Sequence, residues 1–248
     1  SPQVLAHRGA SGHAPETTMA AFRLALQMKV DFLELDVQMT RDGELVAIHD
    51  PSLDRTTNGK GPVAEKTLAQ LKELDAGSWF NEAFSAKARP EYAGQRIPTL
   101  QEIIDLAKGD PVSFYIETKN PELYPAEFEA RLLDLLRRNH VHKRTVIQSF
   151  SPHSLEKIKS LDRSIPTALL VETPEPDPVD AAVRPGANEL AIDYRLLTPG
   201  LEGRARDRGL TITVWTVNEE EDFRRMIRLG VDRIITNYPD RLNRLLGR

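Results

Sequence analysis

The stretch Phe32-Leu33-Glu34-Leu35-Asp36-Val37-Gln38 decides the architecture. Successive side chains of a strand point to opposite faces. Leu33, Leu35 and Val37 therefore share one face, and Glu34, Asp36 and Gln38 share the other. The apolar face asks for a cover of helices. The acidic face asks for an enclosed polar space, because two carboxylates this close repel and are costly to bury unless a positive charge lies between them. A barrel strand meets both demands, with its outer face under helices and its acids turned into the mouth.

Working outward, the same unit recurs. Short apolar runs stand at 4–9, 32–39, 113–119, 145–150, 167–172, 189–194, 211–217 and 233–237. Helical patterns follow them at 16–28, 99–108, 125–139, 152–160, 178–184, 199–208, 218–229 and 239–246. This alternation predicts parallel βαβ units. Eight of them within 248 residues is the count of an α/β protein of the (β/α)8 TIM-barrel type. An open doubly wound sheet usually carries G-x-G-x-x-G after its first strand, and His7-Arg8-Gly9-Ala10-Ser11-Gly12 does not fit that pattern.

Residues 1–248 read as a single domain with one interruption. The stretch 40–98 is far longer than an ordinary βα loop. It holds Asp42-Gly43, an apolar run from Leu45 to Ile48, and a helical pattern near 67–74. Long excursions at the carboxyl face of a barrel are usually functional, so the insertion 51–95 is expected to lie over the mouth as a lid. Its Trp79-Phe80 pair looks exposed, and either lines the entrance or packs the insertion onto the barrel.

Composition narrows the function. A net charge of −4 is too mild to suggest nucleic acid or an anionic membrane as partner. With no cysteine, disulfides, iron–sulfur clusters and thiolate zinc sites are ruled out. No apolar run is long enough for stable membrane insertion. The expectation is a cytoplasmic protein acting on a small molecule; Ser1 in place of an initiator Met leaves a trimmed signal peptide open. Oligomeric state is not legible.

In the third strand, Ser113, Tyr115, Glu117 and Lys119 share a face. Glu34, Asp36 and Glu117, turned inward from neighbouring strands, would make an oxygen-rich cage. Oxygen ligands select hard cations, Mg²⁺ or Ca²⁺. The alternative is a structural network in which Arg8 and Lys119 neutralise the acids. His7 stands at the carboxyl end of the first strand. If Asp42-Gly43 makes a two-residue hairpin turn, Arg41 pairs with Glu44 and His49 falls opposite Asp36, on the same face. Two imidazoles beside a metal-bound phosphate would serve as acid and base near neutral pH. His13, His140, His142 and His153 read as exposed positions in loops and helix ends.

Together these residues resemble the glycerophosphodiester phosphodiesterase family. The resemblance spans nearly the whole chain. It is carried by His7-Arg8-Gly9-Ala10-Ser11-Gly12, Ala14-Pro15-Glu16-Thr17-Thr18, Glu34-Leu35-Asp36-Val37, Asp42-Gly43 leading to His49-Asp50, and Leu53-Asp54-Arg55-Thr56-Thr57. Glu117-Thr118-Lys119, Gln148-Ser149-Phe150, Trp215-Thr216-Val217-Asn218 and Thr236-Asn237-Tyr238-Pro239-Asp240 complete it. It implies a TIM barrel with a small insertion after the second strand, one divalent cation on Glu34, Asp36 and Glu117, and a His7/His49 acid–base pair. It further implies that Arg8 and Lys119 hold the phosphate, with Glu16 and Trp215 among the substrate-binding residues; Trp215 is an apolar wall for glycerol or plain barrel packing. The reaction implied is hydrolysis to an alcohol and glycerol 3-phosphate. Two departures stand out. Thr17 replaces the family's usual Asn, and Arg233 replaces the Gly that usually follows Asp232, with a side chain that has room to turn to solvent. Other readings of the same scaffold are a phospholipase-D-like lipase, a non-catalytic phosphate-ester binding module, and a barrel whose acids are mere ion pairs.

Overall fold

A computed structural model describes all of residues 1–248. The chain opens with β1 (Gln3–His7) and α1 (Met19–Gln27). The long β2 (Phe32–Met39) turns back into the short β3 (Leu45–Ala47). The insertion carries α2 (Leu68–Lys72) and α3 (Ser78–Ala83), and α4 (Leu100–Leu106) follows. Then come β4 (Ser113–Thr118), α5 (Phe128–Arg138), β5 (Thr145–Ser149), α6 (Pro152–Leu161), β6 (Thr167–Val171) and α7 (Pro178–Val183). The last units are β7 (Glu189–Asp193), α8 (Pro199–Asp207), β8 (Thr211–Trp215), α9 (Glu220–Arg228), β9 (Arg233–Thr236) and α10 (Pro239–Leu246). Strand order runs β1-β9-β8-β7-β6-β5-β4-β2, and pairing of β1 with β2 closes the ring. These strands are parallel, as expected for the barrel; β3 alone is antiparallel. No helix is long and apolar enough to cross a membrane.

Local chemistry starts the helices. Ser151-Pro152, Asp177-Pro178 and Thr198-Pro199 each put a capping side chain ahead of a proline in the first helical turn. The cap accepts from backbone N–H groups that lack helical partners, and proline there forfeits no hydrogen bond.

Two apolar layers set which way each strand faces. Leu33, Leu35, Val37, Phe114 and Ile116 pack outward with helical residues such as Phe22, Leu132 and Phe223. Leu5, Phe32, Tyr115, Val146 and Leu170 fill the barrel itself. Each large side chain fully buried contributes about 1.5–3 kcal/mol. A one-residue slip of β2 would forfeit this and push Glu34 and Asp36 under helices.

Three expectations change. The observed register pairs Val37 with Ala47, Gln38 with Val46 and Met39 with Leu45, and Thr40 N–H donates to the Glu44 carbonyl at 2.9 Å. The hairpin loop is thus the three residues Arg41-Asp42-Gly43, closed by Gly43 at φ +85°, the left-handed position that such loops need. Ile48, not His49, lies beside Asp36, its N–H donating to the Asp36 carbonyl at 3.1 Å.

Second, Phe80 is buried, packed with Ala14, Ala21 and Tyr92, and partly buried Trp79 donates its indole N–H to the Ala76 carbonyl. The aromatic pair fastens the insertion to α1 and the loop before it. Third, Arg233 points into the barrel, not to solvent. Strand alternation puts it on the inner face with Ile235, and there it pairs with buried Glu189. Glu189 also accepts from Tyr115 Oη (3.0 Å) and Thr213 Oγ1 (3.2 Å), while Arg233 donates to Gln3 and lies over the Phe32 ring. A buried carboxylate at the barrel floor demands such a partner.

Of the remaining histidines, His140 and His153 are exposed as expected, while His13 and His142 are half-buried. His13 Nε2 meets Asp240 at 2.8 Å. Thr17 sits at φ 57° with its hydroxyl buried and unpartnered. The left-handed region suits Asn far better than a β-branched residue.

Two stability predictions follow from these positions. Arg233→Gly strands the Glu189 charge and should cost about 3 kcal/mol or more in unfolding free energy; adding Glu189→Ala should recover part of it. Thr17→Asn should stabilise by about 1 kcal/mol, raising Tm by about 2–4 °C. Calorimetry checks both, and an Arg233→Gly variant melting like the parent would contradict the floor ion pair.

Candidate active site

A cleft of about 510 Å³ opens at the carboxyl ends of the strands. His7, Arg8, Glu34, Asp36, His49, Glu117, Lys119 and Trp215 all line it. Glu16 does not: its carboxylate lies behind Arg8, with both oxygens engaged by the Arg8 and Arg55 guanidinium groups. A second cleft of about 440 Å³, bordered by α9 and α10, contains no imidazole and no acid triad, so the chemistry belongs to the first.

The acids meet by register. Asp36 pairs with Glu117 across β2 and β4, and Glu34 pairs with His7 across β2 and β1. One oxygen from each of Glu34, Asp36 and Glu117 lies within 4.8 Å of the others, and all three residues are buried. Glu34 accepts from the Arg8 N–H at 3.0 Å and from Gln148 Nε2 at 2.8 Å. Lys119 Nζ stands 3.2 Å from Glu117. Asp36 Oδ2 is buried without a hydrogen bond, 3.6 Å from Arg8 Nε. Burial, then the Asp36 charge, pushes the Glu34 and Glu117 carboxyls up. Burial also opposes ionisation of Asp36, but Arg8 and His49 beside it hold its carboxyl below the usual range. The cluster is therefore short of positive charge and keeps an unfilled buried acceptor. Three convergent carboxylates of this kind fit a hard divalent cation.

Despite the shifted register, His49 reaches the same cleft. Along one edge of β2, β1 pairs with Phe32–Glu34 and β3 with Val37–Met39. Because β3 runs antiparallel to β2, the segment leaving it descends toward the end of β1, where His7 stands. Gln38 grips that segment: its Nε2 donates to the carbonyls of Ile48 (2.9 Å), His49 (3.2 Å) and Asp50 (2.8 Å). Its Oε1 accepts from Tyr124 Oη at 2.6 Å.

Each imidazole is oriented from behind. His49 Nδ1 donates to Asp50 Oδ1 at 2.7 Å. Asp50 is held by Arg55, which also clasps Glu16, which in turn accepts from Arg8 at 2.8 Å. His7 Nδ1 donates to Asn237 Oδ1 at 2.6 Å. Both rings thereby keep Nε2 as a free acceptor. Burial and then the Arg8 charge lower the His7 pKa to about 4, against the Asn237 hydrogen bond and Asp36. Burial likewise lowers His49, with Asp36 opposing.

The residue reading missed the roles of Gln38, Asp50, Arg55, Gln148 and Asn237. Gln38 had a signal, since the period-two pattern carries it onto the acidic face. Gln148 lies in β5, where alternation gives its face but not the acid it meets, and the others depend on loops whose paths no local pattern specifies. Trp215 donates its N–H to the Ala191 carbonyl at 2.9 Å, which fixes its ring against the cleft. Phe150 meets it edge to face, centroids 5.8 Å apart.

Comparison with known proteins identifies the family. Residues 7–241 match the "Glycerophosphoryl diester phosphodiesterase family". A glycerophosphodiester phosphodiesterase of Bacillus subtilis (strain 168) is 43% identical over 245 residues, covering 95% of this chain and 83% of that protein. One from Caldanaerobacter subterraneus is 40% identical, covering 98% of this chain and 97% of that protein. Among solved structures, an Oleispira antarctica phosphodiesterase in complex with the product sn-glycerol-3-phosphate superposes with a TM-score of 0.91 at 29% identity, covering 100% of this chain and 97% of that one. The chain thus belongs to the glycerophosphoryl diester phosphodiesterase family and is a phosphoric diester hydrolase.

Proposed function

We propose that the chain hydrolyses glycerophosphodiesters to an alcohol and glycerol 3-phosphate, with one divalent cation, Mg²⁺ or Ca²⁺, on Glu34, Asp36 and Glu117 and with His7 and His49 moving the protons. The observation that carries this reading is the placement of two imidazoles, each with a free Nε2, in one cleft with the acid triad. The product named for the Oleispira antarctica relative supports glycerol 3-phosphate here.

A bound divalent cation would neutralise non-bridging phosphate oxygens and acidify a hydroxyl nucleophile. Arg8 offers a planar fork to the phosphate and Lys119 a point charge. Glu16 acts on the substrate through Arg8, whose guanidinium it orients. His49, backed by the Asp50 carboxylate, is the ring better able to hold an added proton, as in other His–carboxylate pairs. His7, held in one orientation by Asn237, serves the other end of the transfer. Trp215 supplies an apolar wall. The 51–95 insertion contributes Arg55 to the network and lies beside His49, and in this reading it limits which diesters enter.

Two outcomes test the proposal. Glycerol 3-phosphate release should fall at least about 10²-fold in EDTA and return with Mg²⁺ or Ca²⁺; an unchanged rate in chelator would refute the metal. His7→Ala and His49→Ala should each lose about 10²–10⁴-fold in kcat while melting like the parent and keeping a metal-induced rise in Tm. The double variant should lose less than the product of the two, because both rings serve one proton path. Single variants within a few-fold of the parent on a natural diester would remove the histidines from the mechanism.

A further inference from the structure

The position of His49 rests on an amide. Gln38 is fully buried on β2, and its Nε2 spreads its N–H groups over the carbonyls of Ile48, His49 and Asp50. Carbonyls only accept, so these partners fix which way the amide faces. Its Oε1 must then point away from the segment that Nε2 grips. There it meets one donor, the Tyr124 hydroxyl, at 2.6 Å.

Tyr124 comes from a different part of the mouth, the loop between β4 and α5. The loop is shaped to bring it back to β2. Lys119 N–H donates to the Val37 carbonyl at 3.1 Å, so the pairing of β2 with β4 persists to that point. Asn120 then turns the chain at φ 45°, a left-handed conformation that Asn tolerates. Pro121–Leu123 forms a tight 3-10 turn, closed by Tyr124 N–H donating to the Pro121 carbonyl at 3.2 Å. The Tyr124 ring packs against Phe128, centroids 5.0 Å apart. Burial pushes its hydroxyl up to about 12, so it keeps its proton near neutral pH and stays a donor.

The same region touches the β2–β3 hairpin a second time. Arg131 of α5 donates to the Gly43 carbonyl at 2.9 Å, at the exposed tip. Arg131 holds the tip, whereas Tyr124 holds the amide behind His49. Loss of the Tyr124 hydroxyl would leave Gln38 Oε1 buried without a donor, which is costly. The amide can relieve this only by turning, and turning releases the carbonyls around His49.

Resting on the hydrolase reading above, we propose that Tyr124 is a positioning residue for catalysis: its hydroxyl locks the Gln38 amide, and the amide locks the backbone that carries His49. Neither Tyr124 nor Gln38 lines the cleft, so neither acts on the substrate by contact. The loop that leaves Lys119, on the phosphate side, thereby also sets the imidazole that moves a proton.

The test measures Tyr124→Phe, His49→Ala, their double variant and Arg131→Gln on the metal-loaded enzyme, with glycerophosphoglycerol as substrate. Tyr124→Phe should lower kcat about tenfold with KM within about twofold, because a small displacement of a catalytic group is enough for such a loss. In the His49→Ala background the same substitution should change kcat by less than about twofold, since its effect passes through the missing ring. Arg131→Gln should keep the parent's kcat. In the metal-free protein, the ring nitrogen resonances of His49 should shift in Tyr124→Phe, and those of His7 should not. Parental kcat in Tyr124→Phe, an equal loss with and without His49, an equal loss in Arg131→Gln, or unmoved His49 resonances would overturn the proposal. So would a rise in KM alone, which would place the effect at Lys119. Each of these outcomes leaves the hydrolase reading intact. If His49→Ala itself stays within a few-fold of the parent, the acid–base reading fails, and the role of Tyr124 with it.

Discussion

Three carboxylates buried within reach of one another cannot all be ionised unless positive charge is brought among them. Much of this molecule answers that constraint. Arg8 reaches Asp36, Lys119 reaches Glu117, and Gln148 and the Arg8 amide hold Glu34. These partners leave Asp36 Oδ2 without a hydrogen bond. The residual demand is what gives the triad its affinity for a divalent cation in this account. It also explains why the apolar outer layer matters for chemistry: packing of Leu33, Leu35 and Val37 under the helices forces the acids inward against their own preference for water.

The histidines are placed by a different device. The length of β2 lets it pair with β1 low on one edge and with β3 higher on the same edge. The chain returning from β3 is thereby delivered to the end of β1. Gln38, on the acidic face of the same strand, then fixes the carbonyls of Ile48, His49 and Asp50. One strand thus supplies two acids of the triad and the amide that sets the position of an imidazole. Asp50, Arg55, Glu16 and Arg8 extend this into a chain of charged hydrogen bonds tying the insertion to the loop after β1.

The barrel was legible because its signal is periodic. Alternation along Phe32–Gln38 and the recurrence of apolar runs with helical patterns depend on local sequence alone. The inward acids followed from the same period. What escaped depended on turn geometry and on distant partners. A three-residue loop closed by left-handed Gly43 reads much like a two-residue Asp-Gly turn, and the difference moved the register by one. His49 arrived anyway because β3 ends at Ala47, which frees it from strand alternation. Arg233 looked like a solvent side chain until Glu189, 44 residues away in sequence, proved to be buried on the same floor. Phe80 looked exposed because the residues it packs against, Ala14 and Ala21, lie far earlier in the chain, in α1 and the loop before it. The resemblance to a family pointed to the site residues, and the hydrogen-bond geometry shows how the scaffold holds them.

The central claim is that the triad is a cation site because its acids are held back from ionising together. Titration calorimetry with Mg²⁺ and Ca²⁺ near neutral pH, repeated in buffers of different ionisation enthalpy, measures the protons released per ion bound. Burial and the Asp36 charge push Glu34 and Glu117 up, so binding must drive protons off these groups. The account predicts one bound ion per chain with net proton release, and weakened binding with altered release in Glu117→Gln. Binding without proton release, or binding indifferent to loss of Glu117, would contradict it.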